Sequence, residues 1–572
     1  MKRHILLIAF LASLGGYAQQ LHNANWYFGN NAGYSFLADP DPTYPTSIST
    51  SLQSSEICGS YSNGAGQFMF YTNGRDVYNG NNTPMTNGSG LIAHDSDSQL
   101  VLIKKPNTTD PGRLAPETIY LISNDGTQES RKGLRYSEVN VSDGISGEVV
   151  LATKNTVLRD HNNVPIDENY GSRSEKVTSA LHCNGTDYWL VTQIGGFIYS
   201  YHVTQAGIPS TPTTVSTAPY NIATGESSSG AGLMKISPNN DRIAIAYFIN
   251  TSNFTGAVAM GDFDSSTGAV TFDPALITVP TTGLQNAVAY GVEFSPDSQR
   301  ILFSVGKKLY TGNAYTASSA NVTLVPMTGT GGELVNEIWG MQLGMNGKIY
   351  VAVITTSLTA WMAVIDDPNS PTNPNFSFNN SPGVTLGTLR GGLPQWVKSQ
   401  MAGCDTSFTL FNPDLNIIPH IYRVGHHIDA VQNYKVSAGR NITMRAGKYI
   451  NLLPNTTIES GSIFLAEILA CPDCGTSSVT SSEGEVQGMR MPIVPQGLQL
   501  YPNPASDRTN LSVADDIITF VTVTSLDGSV IFKGSNDKEK YVINTSAYKK
   551  GIYIINVQTK NGKNYIEKLI VE

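Results

Sequence analysis

Six short apolar segments recur between residues 66 and 352, and their spacing constrains the fold more than any other feature of the chain. They are Gly66-Gln-Phe-Met-Phe-Tyr71, Glu117-Thr-Ile-Tyr-Leu-Ile122, Thr186-Asp-Tyr-Trp-Leu-Val191, Asp241-Arg-Ile-Ala-Ile-Ala246, Gln299-Arg-Ile-Leu-Phe-Ser304 and Gly347-Lys-Ile-Tyr-Val-Ala352. Subtracting their first positions gives intervals of 51, 69, 55, 58 and 48 residues. Most are preceded by a turn such as Ser62-Asn63-Gly64, Ser237-Pro-Asn-Asn240 or Ser295-Pro-Asp-Ser298, whose residues supply the backbone angles that reverse a chain. Later segments are followed by another aromatic or apolar strand, as in Phe197-Ile-Tyr-Ser-Tyr201 and Trp361-Met-Ala-Val-Ile365. A unit this small cannot hide both faces of its own sheet, so neighbouring units must stack around an axis and close. The expectation is an all-β chain in which residues 22–403 form a β-propeller of about seven blades. Asn25-Trp-Tyr-Phe28 and Gly392-Leu-Pro-Gln-Trp-Val397 would share the last blade and zip the domain's two ends together. Two tandem β-sandwiches are the alternative.

Composition agrees with strands and tight turns. Charged residues make up 14% while Gly reaches 54 and Tyr 27, against the Glu, Lys, Leu and Ala bias of helical proteins. A net charge of -9, spread along the chain, offers no basic patch, and nucleic acid is set aside as a partner. Lys2-Arg3, the apolar run Ile5 to Leu14 and the small residues Gly16 and Ala18 form a secretory signal peptide over residues 1–18, with cleavage expected between Ala18 and Gln19. The run is too short to span a bilayer, and no transmembrane helix is expected later.

Two further modules follow. Residues 438–461 fall into three eight-residue units, Ala438 to Arg445, Ala446 to Leu453 and Pro454 to Gly461, in which Ile442, Ile450 and Ile458 recur. They predict a small β-meander or β-roll within a spacer module at 404–474. Residues 475–498, rich in Ser, Thr, Glu and Gln, read as a linker. Period-2 strands from residue 499 to 572 predict a small β-sandwich.

Three resemblances add to this reading. The turns Ser237-Pro-Asn-Asn-Asp-Arg-Ile and Ser295-Pro-Asp-Ser-Gln-Arg-Ile resemble the SPDG-x-R-I signature of WD40-like and TolB-type propellers. Asn25-Trp-Tyr-Phe-Gly-Asn-Asn-Ala-Gly33, Phe70-Tyr-Thr-Asn-Gly74 and Gly133-Leu-Arg-Tyr-Ser137 are similar to secreted Bacteroidetes propeller proteins, over roughly residues 22 to 400. The C-terminus resembles the type A sorting domain of the type IX secretion system. Tyr501, Pro502, Asn503 and Pro504 carry its opening motif, Gly551 and Tyr553 its G-x-Y strand, and Lys568 its terminal K-x-x-V, over about 73 residues. That resemblance implies handling by type IX machinery, removal of the tag, and release or attachment to surface lipopolysaccharide.

Motifs for chemistry are sparse. The sequence has no G-x-S-x-G, no H-E-x-x-H and no complete calcium loop. Asp262-Phe-Asp264-Ser-Ser-Thr-Gly268 comes nearest to the last and reads as a capped hairpin turn. His426-His427 would point to opposite faces of a strand, poor geometry for chelation. Cys58 and Cys183 read as buried thiols, while Cys471 and Cys474 of the CPDC segment read as a local disulfide or as one bridge to Cys404. The acids Glu56, Asp76, Asp97, Glu117, Glu138 and Glu293 are scattered through the propeller, and two could meet at its axis at a glycosidase separation. On balance the expectation is a non-catalytic, surface-attached or secreted propeller for binding or adhesion, with no cofactor, no metal and no catalytic residue. Exposed Tyr and Trp would contact a glycan, matrix or protein ligand. The alternative is a secreted glycan- or peptide-degrading hydrolase with an axial carboxylate pair.

Overall fold

Each of the six apolar segments becomes the second strand of an antiparallel sheet, where both faces are covered by neighbouring sheets and continuous apolar sequence is tolerated. These strands are Phe68–Thr72, Glu117–Asp125, Tyr188–Ile194, Arg242–Tyr247, Arg300–Val305 and Ile349–Thr355. Six of seven blades are thereby fixed, in a computed structural model that describes residues 21–468 and 498–571 apart from internal stretches of at most ten residues. Two compact units are present, residues 1–476 and 477–572.

The blades span residues 25–53, 59–89, 100–149, 177–217, 234–272, 289–325 and 335–377, numbered 1 to 7 here. Blades 4, 5 and 6 each run in order from innermost to outermost strand. Blades 2 and 3 are joined into one larger sheet, because Glu148 pairs in parallel with Thr86 at their outer edges. Apolar side chains fill each gap between blades: Val101, Ile103, Leu190 and Tyr201 between blades 3 and 4, and Ala246, Val258, Phe294 and Phe303 between blades 5 and 6. The Ser-Pro turns have a structural task. In blade 5 the Arg242 guanidinium is buried, binds Asp273 at 2.7 Å and the Ala314 carbonyl at 2.9 Å, and lies 5.5 Å from the Tyr315 ring in blade 6.

Closure of the ring differs in detail from the shared-blade expectation. Asn25–Phe28 is a strand of blade 1, but residues 392–397 form no ladder. Pro394 has no N–H to give to one. The two ends are instead joined by Thr388 and Asn30, which exchange both backbone hydrogen bonds at 2.8 Å. Gly391 donates to the Ser55 carbonyl and accepts from Gly340, both at 3.0 Å. The Asn23 side chain donates to the Val397 carbonyl at 3.1 Å and accepts from its N–H at 2.8 Å. Gly392 sits so close to the link between blades 1 and 2 that a Cβ there would lie 1.5 Å from the Glu56 carbonyl oxygen.

The spacer module is the roll rather than the meander. Every pairing in it is parallel, with His420 against Ile442 and Ile442 against Phe464, an offset of 22 residues on each step. The three eight-residue units therefore occupy three faces of one coil: Ile442, Ile450 and Ile458 lie in three different sheets. Ile428, Ala430, Tyr434, Val436, Ile442 and Met444 fill the interior. In the second unit, a three-stranded and a four-stranded antiparallel sheet enclose Leu511, Ile518, Val521, Val523, Ile555, Val557 and Leu569.

Replacing Asn23 by Ala strands both backbone groups of Val397 and is expected to lower stability by about 2–3 kcal/mol. Gly392→Val, which prevents the approach altogether, should cost more, as read from urea denaturation followed by tryptophan fluorescence.

Candidate functional site

The axis is where a propeller most often concentrates function, and here it is filled. Residues 388–398 run from the rim of blade 1 towards the centre, and their side chains bond to blades far away in sequence. Gln395 Nε2 donates to the Val177 carbonyl of blade 4 at 3.0 Å, and Lys398 Nζ lies 3.5 Å from the Ile236 carbonyl of blade 5. Gln99, just before blade 3, bonds both backbone groups of Met234 in blade 5, at 2.8 and 2.9 Å. One small pocket among Glu56, Lys235, Tyr290, Met341, Gly391 and Gln395 has about 10 Å³, room for a single water.

The acids singled out in the sequence are distributed as follows. Glu117 meets Lys104 at 2.6 Å and accepts from the Tyr61 hydroxyl at 2.7 Å. His22 stacks on Tyr61 at 5.3 Å, and burial lowers its pKa. Glu293 lies 3.1 Å from Lys235, which also donates to Gln342, and accepts from the Phe294 and Leu343 amides. Glu56 accepts from the Tyr290 hydroxyl at 2.7 Å, and Glu138 lies 3.5 Å from Lys105. Asp76 begins the strand Asp76–Asn79 on blade 2 and is half-buried; Asp97 lies outside the described residues. Glu117 and Glu293 are thus each neutralised by a lysine of a neighbouring strand, the arrangement that makes burial of charge tolerable.

Lysines also serve as plugs. Lys176 is fully buried and donates to the carbonyls of Ala231, Gly232 and Ala246, with its ammonium 5.1 Å from the Tyr247 ring. Burial, opposed by the Glu175 charge, pulls its pKa down to about 7. Burial likewise lowers Lys398 to about 8. Sequence reasoning missed both, because nothing local distinguishes these lysines from solvated ones.

His182, Asp187 and His202 of blade 4 place three donor atoms within 4.8 Å of one another. The surroundings disfavour a metal. His182 Nδ1 accepts the Asn184 N–H at 3.1 Å, which puts the ring proton on Nε2, facing the Ser266 backbone. A metal-bound histidine needs the opposite pattern, with its second nitrogen donating. That leaves His202 and Asp187, 3.2 Å apart, below the three or four protein ligands usual for zinc. The histidine rings stack at 4.5 Å and Trp189 covers His202 at 4.7 Å. In the Asp262 to Gly268 turn, both Asp264 oxygens accept from Ser266 and Thr267, while Asp262 pairs with Arg242. His427 stacks on Tyr449 at 4.7 Å; His426 lies outside the described residues.

Cys58 is a buried free thiol whose pKa burial raises. Cys183 departs from expectation: it is disulfide-bonded, to a partner outside the described residues. Cys404, Cys471 and Cys474 lie outside them too, as do Ala18, Gln19, Pro502, Asn503 and Pro504. Of the tag motif, Tyr501 pairs with Asn510, Tyr553 is buried with its hydroxyl donating to the Lys549 carbonyl at 2.7 Å, Gly551 opens the same strand, and Lys568 is exposed on the last one.

A cavity of about 550 Å³ lies where the outer edges of blades 2 and 3 join. Asn79, Met85, Thr86, Asn140, Ser142 and Glu148 are among its lining residues. Most aromatics are structural, with Tyr34, Tyr61, Tyr71, Tyr120, Tyr188, Tyr247 and Tyr350 fully buried, whereas Trp361, Tyr315 and Phe197 reach the surface.

Residues 499–572 match the family described as Secretion system C-terminal sorting domain. The chain is an exported protein, directed by type IX secretion to the cell surface or the extracellular space. An endo-acting ulvan lyase from Formosa agariphila is 36% identical over 83 residues, 14% of this chain and 16% of the lyase. The chain thus aligns with only a small part of that enzyme's length. Among solved structures, PorZ, a surface component of the type IX secretion system of Porphyromonas gingivalis, is 11% identical, covering 96% of this chain and 59% of that one at a TM-score of 0.30. A periplasmic gluconolactonase from Pseudomonas aeruginosa is 11% identical, covering 53% and 76%, at 0.32. Among the described residues no helix is long and apolar enough to cross a membrane.

The Lys176 shift has a sign that can be checked. Between pH 7 and about 10 the unfolded chain keeps a proton that the folded chain has released, so this group makes stability rise with pH across that window and contributes no slope below it. Wild type should gain on the order of a few kcal/mol relative to Lys176→Met between pH 7 and 10, measured by chemical denaturation at each pH.

Proposed function

We propose that this protein is a non-catalytic binding protein of the cell exterior, delivered by its C-terminal domain, whose propeller engages a glycan, matrix or protein partner with its rim. One observation carries this reading: residues 388–398 reach the inner strands of blades 4 and 5 through Gln395 and Lys398, and Glu117 and Glu293 are each held by a lysine. A hydrolase acting at the axis needs a substrate-sized opening and two carboxylates facing it. The rim cavity between blades 2 and 3 has the size of a ligand site and a mixed lining, with Pro84, Met85 and Val141 beside the amides of Asn79 and Asn140, the hydroxyls of Thr86, Ser142 and Ser146 and the Glu148 carboxylate, a combination suited to a sugar or an extended peptide. Attachment to surface lipopolysaccharide after removal of the tag fits the same role.

The test is a glycan array and an extracellular-matrix panel run beside polysaccharide-lyase and hydrolase assays. Binding without product is expected, and Thr86→Trp at the cavity mouth should weaken it at least tenfold. Turnover of any substrate, lost in folded Glu117→Gln or Glu293→Gln, would replace this reading with the hydrolase.

A further inference from the structure

Among the described residues, nothing caps the end of the roll. Among the described residues, the strands of its last coil, Tyr449–Leu452, Thr457–Ile458 and Ile463–Ile468, are each paired on one side only. The interior columns run out there. Ala430 is followed by Leu452 and Ala446 by Ile468, and where the earlier members are fully buried the last are open, Ile468 at 56%. Outward positions are apolar as well: Ile463 is 63% exposed, and Leu465 and Tyr449 are nearly half exposed, while Ile458, the last member of the buried Val436 column, is open too. Solenoids need polar caps at their ends, and an open apolar edge pairs with whatever strand it meets.

We propose that this end is a docking surface for a second copy of the chain, the two rolls meeting edge to edge about a two-fold axis. The sequence argues against a further coil of the same chain. Advancing Ile450 and Ile468 by the 22-residue offset reaches Pro472 and Arg490, where the pattern requires inward apolar side chains. Charge does not oppose self-association. Glu459 is paired with Lys435 at 2.7 Å and Glu467 with Arg445, so both carboxylates of the last coil already have partners on the coil before. The area suffices. Half-exposed side chains of this number leave on the order of 500 Å² per copy, in the upper part of the range of the largest patch on a monomer, and two ends would bury about 1,000 Å², the lower bound of a specific interface. A two-fold also reverses strand direction, so parallel edges meet as antiparallel ladders, the more stable pairing.

Sedimentation velocity of the purified full chain across about 1–100 µM should show a monomer–dimer equilibrium. Ile463→Asp and Ile468→Asp, both at well-exposed positions, should each weaken the dimer at least tenfold with unchanged circular dichroism. Val542→Asp, an exposed apolar position in the C-terminal unit, should leave it intact. A monomer at every concentration would overturn the proposal, as would a dimer unaffected by either roll substitution.

Discussion

Ring closure is the constraint on which the propeller depends. A blade has two apolar faces and can bury them only if both neighbours are present, so one missing joint exposes two faces and weakens the whole ring. In this chain the joint is made by backbone groups of Thr388, Asn30, Gly391, Ser55 and Gly340, and by side chains that include Asn23 on Val397 and Tyr44 on Asp366. Such bonds contribute modestly one by one, roughly 1 kcal/mol. Their weight comes from the apolar surface that stays covered while they hold: Trp26, Phe28, Tyr34 and Tyr350 pack across this junction.

The same segment determines what the axis can be. Once residues 388–398 pass inward, the central space takes polar side chains whose partners must be supplied on the spot, because water is excluded. The result is a set of matched groups: Lys104 with Glu117, Lys235 with Glu293 and Gln342, Gln99 with Met234, Lys176 with three carbonyls. Leaving one partner of such a set alone costs several kcal/mol, which favours a rigid centre over an adaptable one. Variation is freer at the rim, where the ladder between blades 2 and 3 is one residue pair, Glu148 with Thr86, and leaves a cavity.

Downstream, the chain changes its manner of building. Antiparallel blades give way to a parallel coil, which exposes its last layer unless something covers it, and then to a separate sandwich with its own core. That last unit is the address, and its match to the sorting-domain family fixes where the protein goes. What the propeller meets outside depends on surfaces far from the tag.

The strand cores, the turns between them and the C-terminal domain are legible in the residues alone, because these rest on local alternation of apolar residues and on residues such as Asn-Gly and Ser-Pro whose backbone preferences are intrinsic. The sequence also indicated closure of the first and last segments, though not that Pro394 would turn a ladder into side-chain contacts. Only the tertiary structure decided that Glu117 and Glu293 face lysines rather than each other, that Lys176 and Lys398 lose their solvent, that Cys183 is bonded, and that three eight-residue units wind into a 22-residue coil with an open end. Those outcomes depend on groups dozens to hundreds of residues apart coming together, and no local pattern encodes the partner of a charge.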